Sequence, residues 1–256
     1  DQKAVEMVYR IAETTAKYKL FVDFHGMYKP TGINRTFPNA INFEGVFGME
    51  ELKWSNPDMP LYDVTMPFIR MMAGNVDYTQ GAMRNAVKKD FRDIYSSPMS
   101  QGTRCHQLAT YIVFDSPLVM LCDAPTAYRK EPECTRFIAG LPVVADETRI
   151  LQGKMGEYIV SVRKKDINWY IGGMTNWDER DVELDFSFLP SNVRYTATLF
   201  ADGINANKQA EDYRTEKLII DKNSRIKIHL ASGGGFAMKL ELYPVRGEVT
   251  SIPERK

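Results

Sequence analysis

Residues 18–26 read YKLFVDFHG, a short apolar run rich in β-forming residues that ends in a polar pair. Before it, residues 2–18 carry apolar side chains near helical spacing with charges between them, the pattern of an amphipathic helix that packs on one face. The residues that follow include turn-forming proline and glycine, which indicate a loop. A helix, a buried strand and a polar loop in this order predict a parallel sheet or barrel.

From this loop to Leu151 the chain continues with helix-like segments and long loops. Apolar spacing predicts helices over Val76–Tyr95 and Arg104–Phe114, and prolines interrupt the segments between and after them. The loops are longer than simple connections need. Because long loops on a rigid frame commonly carry function, we expect them to build a site.

After Gly153 the pattern changes to short alternating strands at nearly regular spacing. The first is predicted at Glu157–Arg163 and the last at Gly235–Leu242, with turn signals between successive strands. This pattern predicts an antiparallel β-sandwich. The fold class is therefore α/β followed by all-β, with an α/β domain over residues 1–152, a β-sandwich over 153–245 and a solvated tail over 246–256.

Composition excludes several classes of protein. The 256 residues contain 33 Lys and Arg against 33 Asp and Glu, so no net charge attracts nucleic acid or an anionic membrane. A hydrophobic content of 44% argues against disorder, and the apolar runs fall far short of the roughly 20 residues that span a bilayer. The three cysteines, Cys105, Cys122 and Cys134, show no CxxC spacing and indicate neither a disulfide framework nor a zinc site.

The first candidate site lies where the opening apolar run ends. In a barrel the carboxyl ends of the strands form the active face, so polar residues there point toward a substrate. This favours His25, close to Asp23, as a site residue. The alternative is that neighbouring backbone groups satisfy both side chains.

Two glutamates form the second candidate site. Glu44 and Glu50 stand six residues apart, across Gly45 and Gly48, in an otherwise apolar segment. Buried carboxylates need a partner, so a hard cation such as calcium or general acid catalysis would explain them. Burial that raises one pKa would suit the acid of a glycosidase. The alternative is an exposed loop with solvated glutamates.

The segment Phe21–Ser55, FVDFHGMYKPTGINRTFPNAINFEGVFGMEELKWS, resembles glycoside hydrolase family 97, the α-glucosidases and α-galactosidases common in gut Bacteroidetes. Later segments agree with it: Asp63–Phe68, Gly74–Tyr78, Asp146–Thr148 and Gly156–Tyr158. The resemblance implies an N-terminal β-sandwich, a (β/α)8 TIM barrel and a C-terminal β domain. This chain would then hold the later part of the barrel and the C-terminal antiparallel β-sandwich, with the N-terminal part of the same protein as its partner. A bacterial periplasmic or secreted location is also implied.

The resemblance also assigns roles to single residues. Glu50 matches the general acid that protonates the glycosidic oxygen, and Glu44 and Glu50 match glutamates that bind an active-site calcium ion. His25 matches a histidine that lines the sugar pocket. Lys29 lies in the same matched loop and is a second candidate for binding the oligosaccharide substrate.

Gly26 decides between two branches of the family. The inverting α-glucosidase branch has a glutamate at this position as catalytic base, whereas the retaining branch has glycine and uses an aspartate nucleophile on the preceding barrel strand. That aspartate would fall a few residues before Asp1, so the chain by itself is expected to be inactive. The resemblance thus implies part of a calcium-dependent retaining exo-α-glycosidase that cleaves terminal α-linked galactose, or glucose, with the α-galactosidase as the leading prediction. The alternatives are an inverting α-glucosidase and a carbohydrate-binding protein without activity.

Overall fold

The chain begins with the helix and strand that the sequence predicts. In the computed structural model, which describes residues 2–244, helix α1 spans Gln2–Lys17 and strand β1 spans Val22–Phe24. β1 pairs in parallel with β2, Ala40–Phe43. The strand is shorter than the apolar run suggests: Phe21 belongs to the run but lies outside the strand, and its side chain is 78% exposed. The predicted tail over residues 246–256 lies outside the described residues.

Short elements and irregular segments make up the rest of the first half. The helices are α2 (Ile33–Thr36), α3 (Met59–Asp63), α4 (Met66–Ile69), α5 (Arg104–Val113), α6 (Pro125–Lys130) and α7 (Pro132–Ala139). Turns of 3₁₀ helix span Met49–Lys53 and Arg70–Ala73, and β3 (Asn85–Ala86) pairs in parallel with β4 (Ser100–Gln101). Among residues 2–244, no helix has the length and apolar composition needed to cross a bilayer.

Of the two helices predicted over Val76–Tyr95 and Arg104–Phe114, the second is confirmed and the first is wrong. α5 reproduces the predicted helix Arg104–Phe114, with the Thr103 hydroxyl accepting a hydrogen bond from the His106 backbone as its N-cap. The predicted helix Val76–Tyr95 is an irregular segment that holds only β3. Its backbone groups bond to distant segments instead: Val76 N donates to Asp115 O and Asp77 N donates to Phe43 O. Tertiary contacts therefore override the local apolar spacing.

Two antiparallel sheets form the second half, which confirms the predicted antiparallel β domain. The strands are β5 (Glu147–Lys154), β6 (Tyr158–Lys165), β7 (Asn168–Thr175), β8 (Arg180–Asp185), β9 (Tyr195–Asp202), β10 (Tyr213–Ile220), β11 (Arg225–Leu230) and β12 (Gly235–Leu242). The large sheet has the order β10-β9-β12-β7-β6-β5, and the small sheet pairs β11 with β8. β5 starts at Glu147, before the boundary at Gly153 that the sequence predicts. The apolar pattern does not reveal this strand, because it lies at the edge of the sheet, is largely exposed and lacks clear alternation.

The large sheet is covered on both faces. One face packs on the small sheet around a core that includes Trp169, Phe186 and Phe236. The other face packs on α5, which lies so close that a Cβ on Gly172 would sit 2.9 Å from Ile112 Cβ. The β domain and the first half therefore share one continuous contact along α5.

Buried polar groups also join the two halves. Asp202 at the end of β9 accepts hydrogen bonds from the Thr103 hydroxyl at 2.6 Å and from the backbone of Ala231 and Gly235 at 2.9 Å each. Within the first half, His106 Nε2 of α5 lies 3.0 Å from Asp63 Oδ2 at the end of α3. Burial raises the pKa of Asp202 to about 6, and these hydrogen bonds oppose that shift.

Candidate active site

The ends of two parallel strands bring the first site residues together. Phe24 of β1 lies opposite Phe43 of β2, so His25 and Glu44 both leave the sheet at its carboxyl edge. Glu44 N donates a hydrogen bond to Phe24 O at 3.0 Å, which fixes the register at this point. The arrangement is the one expected for site residues at the carboxyl ends of parallel strands.

His25 lies at the centre of a group of carboxylates. Its Nδ1 is 2.7 Å from Asp77 Oδ2, and its Nε2 is 3.2 Å from Glu50 Oε1 and 3.9 Å from Glu44 Oε1. The hydrogen bond with Asp77, assisted by the charges of the carboxylates, raises the pKa of His25 against the opposing effect of burial. Asp77 is buried, and its hydrogen bond with Nδ1 fixes the orientation of the imidazole ring.

Glu50 is the second residue of the 3₁₀ helix that follows Gly48. A Cβ on Gly48 would lie 2.9 Å from Glu50 Oε2 and 3.5 Å from Glu44 Oε1, so a side chain here would crowd both carboxylates. On its other side, Glu50 Oε2 lies 2.8 Å from Thr79 Oγ1. The carboxyl group of Glu50 is therefore held between His25, Gly48 and Thr79.

Glu44 is partly buried, and burial affects the pKa of its carboxyl group. Burial raises its pKa, although the Gly26 backbone N–H donates to Glu44 Oε2 and opposes that shift. Gly26 has φ 68°, a left-handed conformation that glycine adopts without strain, and this conformation allows its N–H to reach the carboxylate. The pKa of Glu44 is thus raised by burial.

The donor atoms fit a hard cation in part. One ligand atom each from His25, Glu44 and Glu50 lies within 4.8 Å of the other two. Calcium takes about six to eight oxygen ligands, so the two carboxylates suit it, whereas an imidazole nitrogen is a ligand that transition metals prefer. Glu44 and Glu50 are therefore the residues of this chain that would hold calcium, with His25 beside them.

Asp77 and Thr79 are site residues that the sequence analysis did not single out. Asp77 lies in Gly74–Tyr78, a segment that agrees with the family but was given no role, and Thr79 follows directly after it; both lie in the segment predicted as helix. Asp23, by contrast, was noted beside His25, and its carboxylate oxygens are buried without a hydrogen-bond partner. Burial and then the neighbouring Asp77 carboxylate raise the pKa of Asp23 to about 6.

A cavity of about 460 Å³ opens beside His25 and Glu50. Its wall includes Thr79 and two exposed aromatic residues, Trp54 and Tyr95, whose ring centroids lie 6.0 Å apart. Lys29 does not line this cavity; it is exposed, and its backbone passes close to Gly45. The structure brings His25, Glu44 and Glu50 together, while a substrate contact of Lys29 stays a prediction.

Two sequence-family descriptions match the chain. "Glycoside hydrolase 97" matches residues 1–46, and "Glycosyl-hydrolase 97 C-terminal, oligomerisation" matches residues 144–241. A retaining alpha-galactosidase of Bacteroides thetaiotaomicron is 56% identical over 94% of this chain and 37% of its own length. A probable retaining alpha-galactosidase of Streptomyces bingchenggensis is 32% identical over 64% of this chain and 24% of its own length. The chain therefore spans well under half of the curated relatives it matches.

Solved structures give the same picture. A Glycoside Hydrolase Family 97 enzyme from Pseudoalteromonas sp. strain K8, in complex with panose, superposes with a TM-score of 0.82 at 29% identity, covering 91% of this chain and 36% of that one. A beta-arabinopyranosidase superposes with a TM-score of 0.71 at 22% identity over 90% of this chain and 36% of that one, which shows a shared fold.

Proposed function

The chain belongs to glycoside hydrolase family 97, and from this premise we propose that the complete protein is a retaining α-galactosidase that removes terminal α-linked galactose from oligosaccharides. One observation carries the proposal: Glu50 faces a cavity large enough for sugar rings, while the position after His25 is a glycine. Glu50 is then the acid, and residue 26 offers no carboxylate for an inverting base. The 56% identity to a protein named as a retaining alpha-galactosidase supports the same assignment.

In this mechanism Glu50 acts twice. Its carboxyl group first donates a proton to the glycosidic oxygen, so that the aglycone leaves as an alcohol while a carboxylate nucleophile attacks the anomeric carbon and takes up the galactosyl group. We assign the nucleophile to a barrel strand that lies outside this chain. Glu50 then removes a proton from the water that releases galactose. Asp77 holds the ring of His25, and His25 faces Glu50 from inside the pocket.

A calcium ion held by Glu44 and Glu50 would supply positive charge that orients the carboxyl groups and the substrate hydroxyls. Glu44 supports this part of the proposal, because burial raises its pKa and a bound cation would offset that penalty. The chain's own contribution is to bring two glutamates from a strand end and a 3₁₀ helix to one point.

The inverting alternative is less well supported, although space is not the reason. Nothing lies within 4 Å of the Cβ position of Gly26, so a side chain would have room. Its φ of 68° is what disfavours glutamate, because residues other than glycine rarely adopt it. An inverting site would therefore need a base from another residue.

The stereochemistry of the product tests the proposed function. We expect the complete protein to release α-galactose first, because two displacements at the anomeric carbon restore its configuration. Proton NMR of the first minutes of hydrolysis of p-nitrophenyl α-galactoside resolves the two anomers before mutarotation. Authentic α- and β-galactose in the same buffer give the rate of mutarotation as the control, and β-galactose as first product would contradict the retaining mechanism.

Calcium binding tests the metal assignment separately from activity. In the chelator-treated complete protein, Glu44→Gln should weaken calcium binding by roughly 10-fold or more, because it replaces a charged ligand by a neutral one. Isothermal titration calorimetry measures this without substrate. Glu51→Gln is the matched control, since Glu51 Oε2 accepts a hydrogen bond from Trp54 Nε1 at 2.6 Å instead of facing Glu44. Equal affinities of the two variants would refute the assignment.

A further inference from the structure

Thr79 has a backbone conformation that threonine rarely adopts. Its φ is 60°, in the left-handed region, where a β-branched residue is a genuine outlier. The other non-glycine residues with positive φ among residues 2–244 are Lys19, Asp166 and Asn192, and all three lie in turns without a branched Cβ. Such a conformation is strained and persists only where the surroundings impose it.

The surroundings of Thr79 hold it firmly. The preceding Tyr78 is buried, its ring packs edge-on against Phe114 with centroids 4.8 Å apart, and its hydroxyl donates to Asp63. Two residues later, a Cβ on Gly81 would overlap the Tyr111 hydroxyl at 1.8 Å. Thr79 is therefore fixed by core contacts of its neighbours on both sides.

The same anchor positions Glu50. Tyr78 O accepts a hydrogen bond from Met49 N at 3.0 Å, which fixes the residue directly before Glu50. Thr79 Oγ1 lies 2.6 Å from that carbonyl oxygen and 2.8 Å from Glu50 Oε2. One carbonyl group thus sets the position of the backbone at Glu50 and the position of the hydroxyl that meets the Glu50 carboxyl group.

We propose that Thr79 is a positioning residue for the acid: its strained backbone directs Oγ1 to Glu50 Oε2 and holds the carboxyl group in the orientation that delivers a proton to the leaving group. This inference rests on the proposed function. The Thr79 hydroxyl donates to Glu50 Oε2, which leaves Oε1 as the oxygen that gives its proton to the leaving group and later accepts a proton from water. Glu50 Oε1 faces His25, so Thr79 is the partner of the opposite oxygen.

Substrates that differ in their leaving group test the inference in the complete protein. Thr79→Val keeps the branched shape and removes the hydroxyl. If the Glu50 carboxyl group is no longer oriented toward the leaving group, the reaction slows most for substrates whose leaving group needs protonation. We therefore expect kcat/KM to fall by roughly 10–100-fold on methyl α-galactoside. On p-nitrophenyl α-galactoside, whose leaving group departs with little protonation, it should fall by less than about 3-fold. Thr79→Ser, which retains the hydroxyl, should stay within about 3-fold of the natural protein on both substrates.

A third variant separates an effect on the orientation of Glu50 from an effect on protein stability. Thr79→Gly relieves the backbone strain and also removes the hydroxyl, so its melting temperature should equal or exceed that of the natural protein while it shows the same selective loss on methyl α-galactoside. This variant keeps the test valid if Thr79→Val folds poorly. Thr135→Val is the matched control, because Thr135 Oγ1 donates to the carbonyl oxygens of Tyr128 and Glu131 in the α6–α7 region, and neither belongs to the site.

The outcomes are distinct. A selective loss in Thr79→Val and Thr79→Gly with rescue in Thr79→Ser supports the inference. Equal losses on both substrates, or full activity without the hydroxyl, would overturn it while leaving the proposed function intact. A natural protein that hydrolyses neither α-galactoside would instead refute the proposed function, and the inference with it.

Discussion

Glu50→Gln is expected to lower kcat/KM of the complete protein on a galactosyl disaccharide by roughly 10²–10⁴-fold, the usual contribution of a general acid. Glutamine has nearly the same shape and can still accept a hydrogen bond from Thr79, so the fold of the pocket should persist. It cannot donate a proton to the glycosidic oxygen as a carboxylic acid does. The loss should therefore be smaller on p-nitrophenyl α-galactoside, whose leaving group needs little protonation.

Steady-state kinetics on both substrates, together with the melting temperature, measure this effect. Glu51→Gln is the matched control, because it makes the same change one residue along the chain, at a carboxylate bonded to Trp54. If Glu50→Gln retained activity on the disaccharide, the acid would have to be another residue.

Trp169→Ala should have the largest effect on stability, lowering the free energy of unfolding by about 3–5 kcal/mol, as for other large-to-small substitutions of buried aromatic residues. Trp169 is only 3% exposed, and its ring lies 5.1 Å from the Phe188 ring and beneath Lys164 Nζ at 5.4 Å. The substitution would leave a cavity in the core between the two sheets. The turnover of the folded fraction should stay nearly unchanged, because this core contains none of the proposed site residues.

Denaturant unfolding followed by far-UV circular dichroism measures the stability, and active-site titration normalises the turnover to folded protein. Tyr243→Ala is the control in the same domain, since Tyr243 is partly exposed and contacts Arg194 at the end of the sheet. A variant at Trp169 with normal stability and a selective loss of turnover would show that the β domain takes part in catalysis.

Periodic segments could be predicted from the sequence where local pattern and tertiary contact agree. α1 and α5 have apolar faces that pack on neighbours, so helical spacing identified both. Strands such as β8, which alternate between buried and exposed residues, were equally clear. The helix predicted over Val76–Tyr95 is wrong, because the apolar residues of this segment are buried along an irregular backbone path. Its backbone groups form hydrogen bonds with other segments.

The candidate site divides in the same way. The sequence by itself determined the family and named His25, Glu44 and Glu50, because these residues lie in one continuous segment whose spacing and resemblance can be read directly. The fold adds the roles of Asp77 and Thr79, which lie in another part of the chain: Asp77 contacts His25, and Thr79 contacts Glu50 beside the carbonyl of Tyr78. Asp77 lies in Gly74–Tyr78, a segment that agrees with the family, but nothing local in the sequence assigns a role to it or to Thr79. A buried carboxylate and a strained threonine become meaningful only when the fold places them within hydrogen-bond distance of groups that are remote in sequence.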